Sequence, residues 1–399
     1  MQFCLLILSL LSGIALGSKG NGGKHWAVLV AGSNGWGDYR HQADVCHAYQ
    51  LLRKNGIPPE NIITMMYDDV ANDPKNPFPG KLFNDYKHVD VYAGVKIDYR
   101  GKDVTPDMFL RVLRGDRKLK ESGFKVLESG PEDNVFIYFS DHGSPNILVF
   151  PSVELSANQL NKTLAYMNKA RLYKKMVIYI EACYSGSMFR RILPENIDIL
   201  AVTAAHEDEP SWAAFCEDPK IHTCLGDDFS YHWLKDTEKH QRDLSEWTVG
   251  MQFEAVKQNV WSSHVMRYGD WSMTTRDRSV AIRAHLVPLM HQLKISKSLS
   301  QTELAQRRLL RALELSKMVK ETVDEIVEEV TTTSAPTGTP IGIHEHLDCY
   351  ETAYAQYKYK CFTIQQVPEV AKELVKLDHL CEQGYDANVI VQAIFTTCG

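Results

Sequence analysis

The stretch Val135–Gly143 reads VFIYFSDHG, and Met176–Gly186 reads MVIYIEACYSG. Each opens with a short apolar run rich in β-branched and aromatic residues, long enough for one strand and too short for a helix. Unbroken apolar strands belong to parallel sheets covered on both faces. The same texture recurs at Ala27–Ala31 (AVLVA), Asn61–Met66 (NIITMM) and Ile199–Thr203 (ILAVT), with helix-length amphipathic stretches between them such as Ala43–Asn55 and Ser156–Ala170. The pattern predicts an α/β layer domain, a mostly parallel sheet with helices on both faces, ending near Gly269.

In open α/β sheets the ligand site lies beyond the carboxyl ends of the strands. Two runs end there in chemistry-bearing residues: His142-Gly143 after the first and Cys183 after the second. If the two strands are parallel neighbours, histidine and cysteine share one edge of the sheet. A cysteine nucleophile needs such a partner, which helps form the thiolate and protonates the leaving amine. The Gly143 N–H, with no side chain in the way, can approach a carbonyl oxygen that becomes an oxyanion.

The rest of the chain sets bounds. With 399 residues the chain is long enough for two or three domains and a large core. Lys and Arg total 44 against 50 Asp and Glu, a formal charge of −6 that lacks the basic surplus of a nucleic-acid binder. Met1–Gly17 is apolar, uncharged and closed by small residues, which predicts a signal peptide over 1–17, cleaved near Ser18. No later run is long enough to span a membrane, so no anchor is expected.

Cysteine usage fits an oxidising compartment. Cys349, Cys361, Cys381 and Cys398 predict a two-disulfide domain with three possible pairings, and Cys216 with Cys224 can close a short loop. Cys46 and Cys183 are left unpaired. The cysteines show neither CxxC spacing nor a nearby paired histidine, so no metal site is expected, and no organic cofactor is implied. Beyond Gly269, Gln301–Val330 places Leu304, Leu309, Leu313 and Val319 at helical spacing, Thr331–Pro340 reads as a flexible connector, and the cysteine segment shows two helical patterns. Asn161-Lys162-Thr163 is a glycosylation sequon, and Arg114-Gly115-Asp116 lies on a charged turn best read as a solvated loop.

Longer stretches add a resemblance. VAGSNGWGDYRHQADVCHAY (30–49), MMYDD (65–69), NPFPGKLFND (76–85), VFIYFSDHG (135–143), YIEACYSGSM (179–188) and SHVMRYGD (263–270) closely resemble the legumain family, asparaginyl endopeptidases of the caspase-like clan of cysteine peptidases. The resemblance implies a caspase-like peptidase domain over 18–270, an activation segment and linker over 271–340, and a small α-helical, disulfide-bonded prodomain over 341–399. It implies His142 and Cys183 as catalytic dyad, Gly143 at the oxyanion hole, Asp38 as third catalytic group, and a specificity pocket of Arg40, His41, Glu181 and Asp227 with Ser211 and Trp212 beside it.

By the same resemblance the enzyme is a zymogen of the secretory route or an acidic lysosomal compartment. It cleaves after asparagine, and after aspartate in acid. Its implied partners are peptide and protein substrates, its own prodomain as inhibitor, and cystatin-type inhibitors. The chemistry suits the pocket: a guanidinium donates to the carboxamide oxygen while carboxylates accept from its NH₂.

Three positions depart from the family pattern. Asp38 stands where asparagine is usual, and an ionised carboxylate there is expected to raise the His142 pKa. Tyr184 replaces a common glutamate, and Pro210-Ser211-Trp212 replaces Ser-Ser-Tyr, changes expected at the lip of the site. Between Trp261 and Ala387 there is no asparagine, leaving aspartates such as Asp277 and Asp324 as self-processing candidates. Two rivals follow: a peptide ligase or transpeptidase using the same acyl-enzyme, and a catalytically silent binding homologue.

Overall fold

The computed structural model describes residues 23–241, 247–270, 299–337 and 341–399. The expected signal peptide and Asp277 lie outside the described residues. The chain divides into two compact units, one running through His142 and resuming at Leu148, the other made of Gly143–Ile147 and the C-terminal residues.

The first unit is built on a six-stranded sheet. Its strands are β1 (His25–Ala31), β2 (Ile62–Met65), β3 (Asn134–Ser140), β4 (Lys175–Glu181) and β5 (Ile199–Thr203). A short antiparallel pair follows, β6 (Ala213–Ala214) with β7 (Gly226–Asp227), and β8 (Met266–Gly269) closes the main sheet. The order is β8-β5-β4-β3-β1-β2, parallel throughout except for β8, which runs antiparallel to β5. Sequence patterning anticipates the five parallel strands. It misses β8, whose MRYG is too short and too polar to signal a strand.

Alternation along the strands sends side chains to two cores. Leu29, Tyr138, Tyr179 and Val202 face one side, where they join α1 (Tyr39–Lys54), α3 (Asp228–Lys239) and α4 (Val249–Asn259) through Tyr49, Trp233 and Phe253. On the other side Phe139 packs at 5.4 Å on Phe150, which meets Phe109 at 6.0 Å. Helix α2 (Ala157–Lys169) opens with a capping box, Ser156 and Gln159 exchanging hydrogen bonds. The sequon lies on this helix, and Thr163 is fully buried, its hydroxyl accepting from Arg114. Asp116 caps the next short helix and pairs with Arg111, so the Arg-Gly-Asp triplet is a local turn.

In the second unit, α5 (Leu299–Thr333) packs on α7 (Val375–Glu382) and α8 (Ala387–Cys398), and α6 (Ile343–Lys360) packs on the same pair. The buried stripe of α5 is Val319, Val323, Ile326 and Val330, at spacings of four, three and four. Leu304 and Leu313, expected in the stripe, are substantially exposed. Apolarity at helical spacing does not by itself show where a packing partner begins. The helix runs to Thr333, into the stretch read as a connector, its last threonine hydroxyls bonding back to carbonyls one turn earlier. The disulfides pair Cys349 with Cys381 and Cys361 with Cys398, selecting one of the three pairings, and Cys216 with Cys224 in the first unit. Closing loops of 32 and 37 residues contributes about 3–4 kcal/mol each in the chain-entropy account.

Candidate active site

Register decides what the strand ends can do together. β3 and β4 are neighbours, with Ser140 paired to Glu181, and the ladder continues through Asp141 N–H donating to the Glu181 carbonyl at 3.1 Å. His142 and Cys183 each stand two residues past that rung. They therefore leave the same carboxyl edge together, next to the point where the strand order reverses between β1 and β3. Cys183 and Cys46 are the unpaired cysteines of the described residues. Cys46 is fully buried with its thiol toward Met66, so only Cys183 has access to a substrate.

Asp38 reaches the dyad from the N-cap of α1. Its Oδ1 lies 3.0 Å from His142 Nε2 and 3.1 Å from Arg40 Nη1. Burial alone raises a carboxyl pKa, but His142 and Arg40 overcome it and hold Asp38 ionised, well below the usual range. For His142, burial disfavours the cation, and the charge and hydrogen bond of Asp38 outweigh it, so the imidazole pKa is raised. That is the direction expected from the aspartate. Burial pushes the Cys183 thiol up to about 11, and its Sγ faces the Ser211 carbonyl at 3.8 Å. The resting group is a thiol, which needs a base when substrate arrives.

Tyr184, after the nucleophile, is in the left-handed region at φ 57° and is 5% exposed. It is an interior residue, which corrects its placement at the lip. Gly186 makes the turn possible: a Cβ there would meet the Tyr268 hydroxyl at 2.3 Å and the Glu207 amide at 2.9 Å.

The four residues expected to form a specificity pocket come from three elements. Arg40 and His41 lie in the first turn of α1, Glu181 ends β4, and Asp227 ends β7. Arg40 Nε donates to Asp227 Oδ1 at 2.9 Å. Glu181 Oε2 accepts from both the amide and the hydroxyl of Ser230 at 3.0 Å. The opposite oxygens, Glu181 Oε1 and Asp227 Oδ2, are buried without a well-formed hydrogen bond, and His41 Nε2 stands 3.5 Å from the latter. Burial and the Asp227 charge push the Glu181 pKa well up, and burial also raises Asp227 against the pull of Arg40. Ser211 and Trp212 precede β6, half-buried, and the Trp212 carbonyl anchors Asp228 N at 2.8 Å.

His41 is a support for this set. It is 1% exposed, with Nδ1 at 2.6 Å from Ser33 Oγ and 3.2 Å from Asp141, and Nε2 at 3.5 Å from Asp227. Burial and the Arg40 cation keep it neutral, and its ring meets His142 edge-on at 5.1 Å. Asp141 is pushed up to about 8 by burial. Sequence reading missed Ser33, Asn84 and Ser230. Each is a small polar residue whose signal exists only once its carboxylate or imidazole partner is placed in space.

Asp38, His41 and His142 bring possible metal-donor atoms within 4.8 Å of one another. Arg40 already occupies Asp38 Oδ1, and the His41 nitrogens face Ser33, Asp141 and Asp227. A cation would displace a guanidinium at 3.1 Å, so the set is a hydrogen-bond network and does not fit a metal ion.

A sheet with histidine and cysteine at adjacent strand ends defines a class, the cysteine-type endopeptidases. The model of the Peptidase C13 family matches residues 25–281, and the chain belongs to that family. It is 46% identical over 398 residues to the hemoglobinase of Schistosoma mansoni, covering 94% of this chain and 91% of that protein. It is similar to the legumain of Homo sapiens, at 40% over 410 residues, covering 95% and 94% of the two chains. The vacuolar-processing enzyme delta-isozyme of Arabidopsis thaliana is 38% identical over 428 residues, covering 94% and 90%. Among solved structures, caspase-1 of Spodoptera frugiperda is similar at 10% identity and a TM-score of 0.37, over 64% of this chain and 92% of that one.

Proposed function

We propose that the enzyme cleaves peptide bonds after asparagine through a thioester at Cys183. His142 takes the thiol proton as sulfur attacks the scissile carbonyl, the Gly143 N–H receives the developing oxyanion, and the imidazolium gives its proton to the leaving amine. Water then attacks the thioester, its proton passing through His142 back to sulfur. Asp38 holds the imidazole and stabilises its cation.

The observation that carries the asparagine reading is a pair of buried oxygens without a well-formed hydrogen bond, Glu181 Oε1 and Asp227 Oδ2, beside the Arg40 guanidinium. Two acceptors next to a donor match a carboxamide, which presents NH₂ and C=O together. An ionised aspartate side chain offers acceptors only and is repelled. Protonation of Glu181, its pKa raised, supplies a donor and admits aspartate as pH falls.

The helical second unit is read as an inhibitory prodomain, and the three disulfides support a route through an oxidising compartment. No helix of the described residues is long and apolar enough to cross a membrane. The test is turnover of fluorogenic peptides ending in asparagine, glutamine or aspartate by acid-treated protein. Cleavage of the asparagine peptide alone at neutral pH is expected, and equal cleavage of the glutamine peptide would sink the pocket assignment.

A further inference from the structure

One helical turn beyond Arg40, on the same face of α1, lies Asp44, fully buried. Its Oδ1 accepts from Asn84 Nδ2 at 2.7 Å and from the Asp227 backbone N–H at 3.4 Å, and its Oδ2 accepts from Ser140 Oγ at 3.2 Å. The Asn84 amide cannot be turned the other way, because its oxygen faces His47 Nδ1 at 2.8 Å and its NH₂ also serves the Leu225 carbonyl at 3.0 Å. Gly226 gives this packing room: a Cβ there would meet Asn84 Nδ2 at 2.8 Å and Asp44 Oδ1 at 3.2 Å.

Charge counting then isolates Asp44. Its side chain lies within hydrogen-bonding reach of Asp227 and within the field of Glu181. The one guanidinium of the group, Arg40, is committed to Asp227 and Asp38. Among the described residues no Lys, Arg or His stands within ion-pair distance of Asp44. The Asp44 and Asp227 carboxyls, within hydrogen-bonding reach of each other in a buried space, do not both ionise, and Asp44, the one of this pair without a cation, keeps its proton. Since Oδ1 takes two N–H donors, the proton belongs on Oδ2.

We propose that Asp44 is a specificity-positioning residue of the pocket assigned above, which in its protonated form donates to the Asp227 carboxylate and fixes it as acceptor for the substrate carboxamide. The titratable groups facing Asp44 are Asp227 from β7, Glu181 from β4 and Tyr138 from β3. Burial and the two neighbouring carboxylates push its pKa well up, while the Asn84 hydrogen bond opposes. Loss of the proton at alkaline pH sets two carboxylates against each other beneath the substrate. KM for asparagine peptides then rises while the dyad is untouched.

The experiment compares wild type, Asp44→Asn and Asp44→Ala in acid-activated enzyme, measuring kcat and KM for asparagine and glutamine peptides from acid to alkaline pH. Asparagine at this position reproduces the protonated acid, an acceptor toward Asn84 and a donor toward Asp227. Asp44→Asn is expected to keep KM within about threefold of wild type at neutral pH and to lose the alkaline rise. Asp44→Ala, which removes the donor and orphans Asn84, raises KM about tenfold with kcat little changed.

An Asp44→Asn KM as high as that of Asp44→Ala, or an unchanged alkaline rise, overturns the proposal while leaving the pocket assignment standing. A wild type without asparagine preference overturns both. If Asp44→Ala does not fold, the KM profile of Asp44→Asn decides alone. Alkylation of Cys183 by iodoacetamide at the wild-type rate checks that the dyad is intact in each variant.

Discussion

His142 Nε2 and Asp38 Oδ1 are 3.0 Å apart, so the proposed base of the dyad is held by a full negative charge. The raised imidazole pKa places the cationic form of His142 at higher pH than an uncharged partner would. In the proposed mechanism neutral His142 accepts the thiol proton, so activity falls as pH drops through that pKa. Asp38→Asn removes the charge and keeps an acceptor, and the acid limb of the kcat/KM profile is expected to move to lower pH with activity retained. An unmoved limb in the variant argues against Asp38 as the cause.

Cys183→Ala is expected to lower kcat by about 10⁴ or more, as removal of a nucleophile does. Because the thiol is pushed up to about 11, its alkylation in free enzyme should accelerate steadily with rising pH. A plateau below neutrality, read by mass spectrometry of the modified peptide, would instead show a resting thiolate.

Arg40 links the proposed dyad to the proposed pocket, touching Asp38, Asp227 and the Gly37 carbonyl. Arg40→Lys keeps the charge and loses the fork, so it cannot hold both carboxylates. A drop of about 100-fold in kcat/KM for asparagine peptides is expected, from the loss of charge-assisted hydrogen bonds of about 1.5–3 kcal/mol. Wild-type kinetics in the lysine variant would place the pocket elsewhere.

Asp324 sits inside α5, paired with Lys320 and Lys376. A protease binds its substrate extended, so cleavage there requires several turns to unwind first. Self-processing in acid is expected outside 299–333. Intact-mass analysis of the acid-treated full-length protein decides, and a product ending at Asp324 refutes the expectation.

Within the second unit, His346 lies 2.9 Å from Asp378, which also accepts from Asn146 at 2.8 Å. Burial lowers the His346 pKa and Asp378 raises it, with a net rise above 6.5. A raised folded-state value means that this contact stabilises fully below the unfolded pKa and fades as pH climbs through the folded one. His346→Gln is therefore expected to lower the melting temperature of the full-length protein by about 2 °C in mild acid and by less above neutral pH. An equal loss at both pH values would assign His346 a packing role only.

The layers were readable from the residues alone. Five apolar runs suit a parallel sheet covered on both faces, and a histidine and a cysteine just past two of them mark a candidate pair that the family resemblance, not local order, assigns as a dyad. Cysteine count predicted a stapled C-terminal segment without its pairing. Tertiary structure decided everything that depends on two distant segments meeting. It selected the disulfide pairing, paired Ser140 with Glu181, moved the buried stripe of α5 to Val319–Val330, and turned Tyr184 inward. It also set the charges. Whether Asp38, Asp44 or Asp227 carries a proton depends on which of them faces Arg40 and how deeply each is buried, and neither is written in the neighbouring residues.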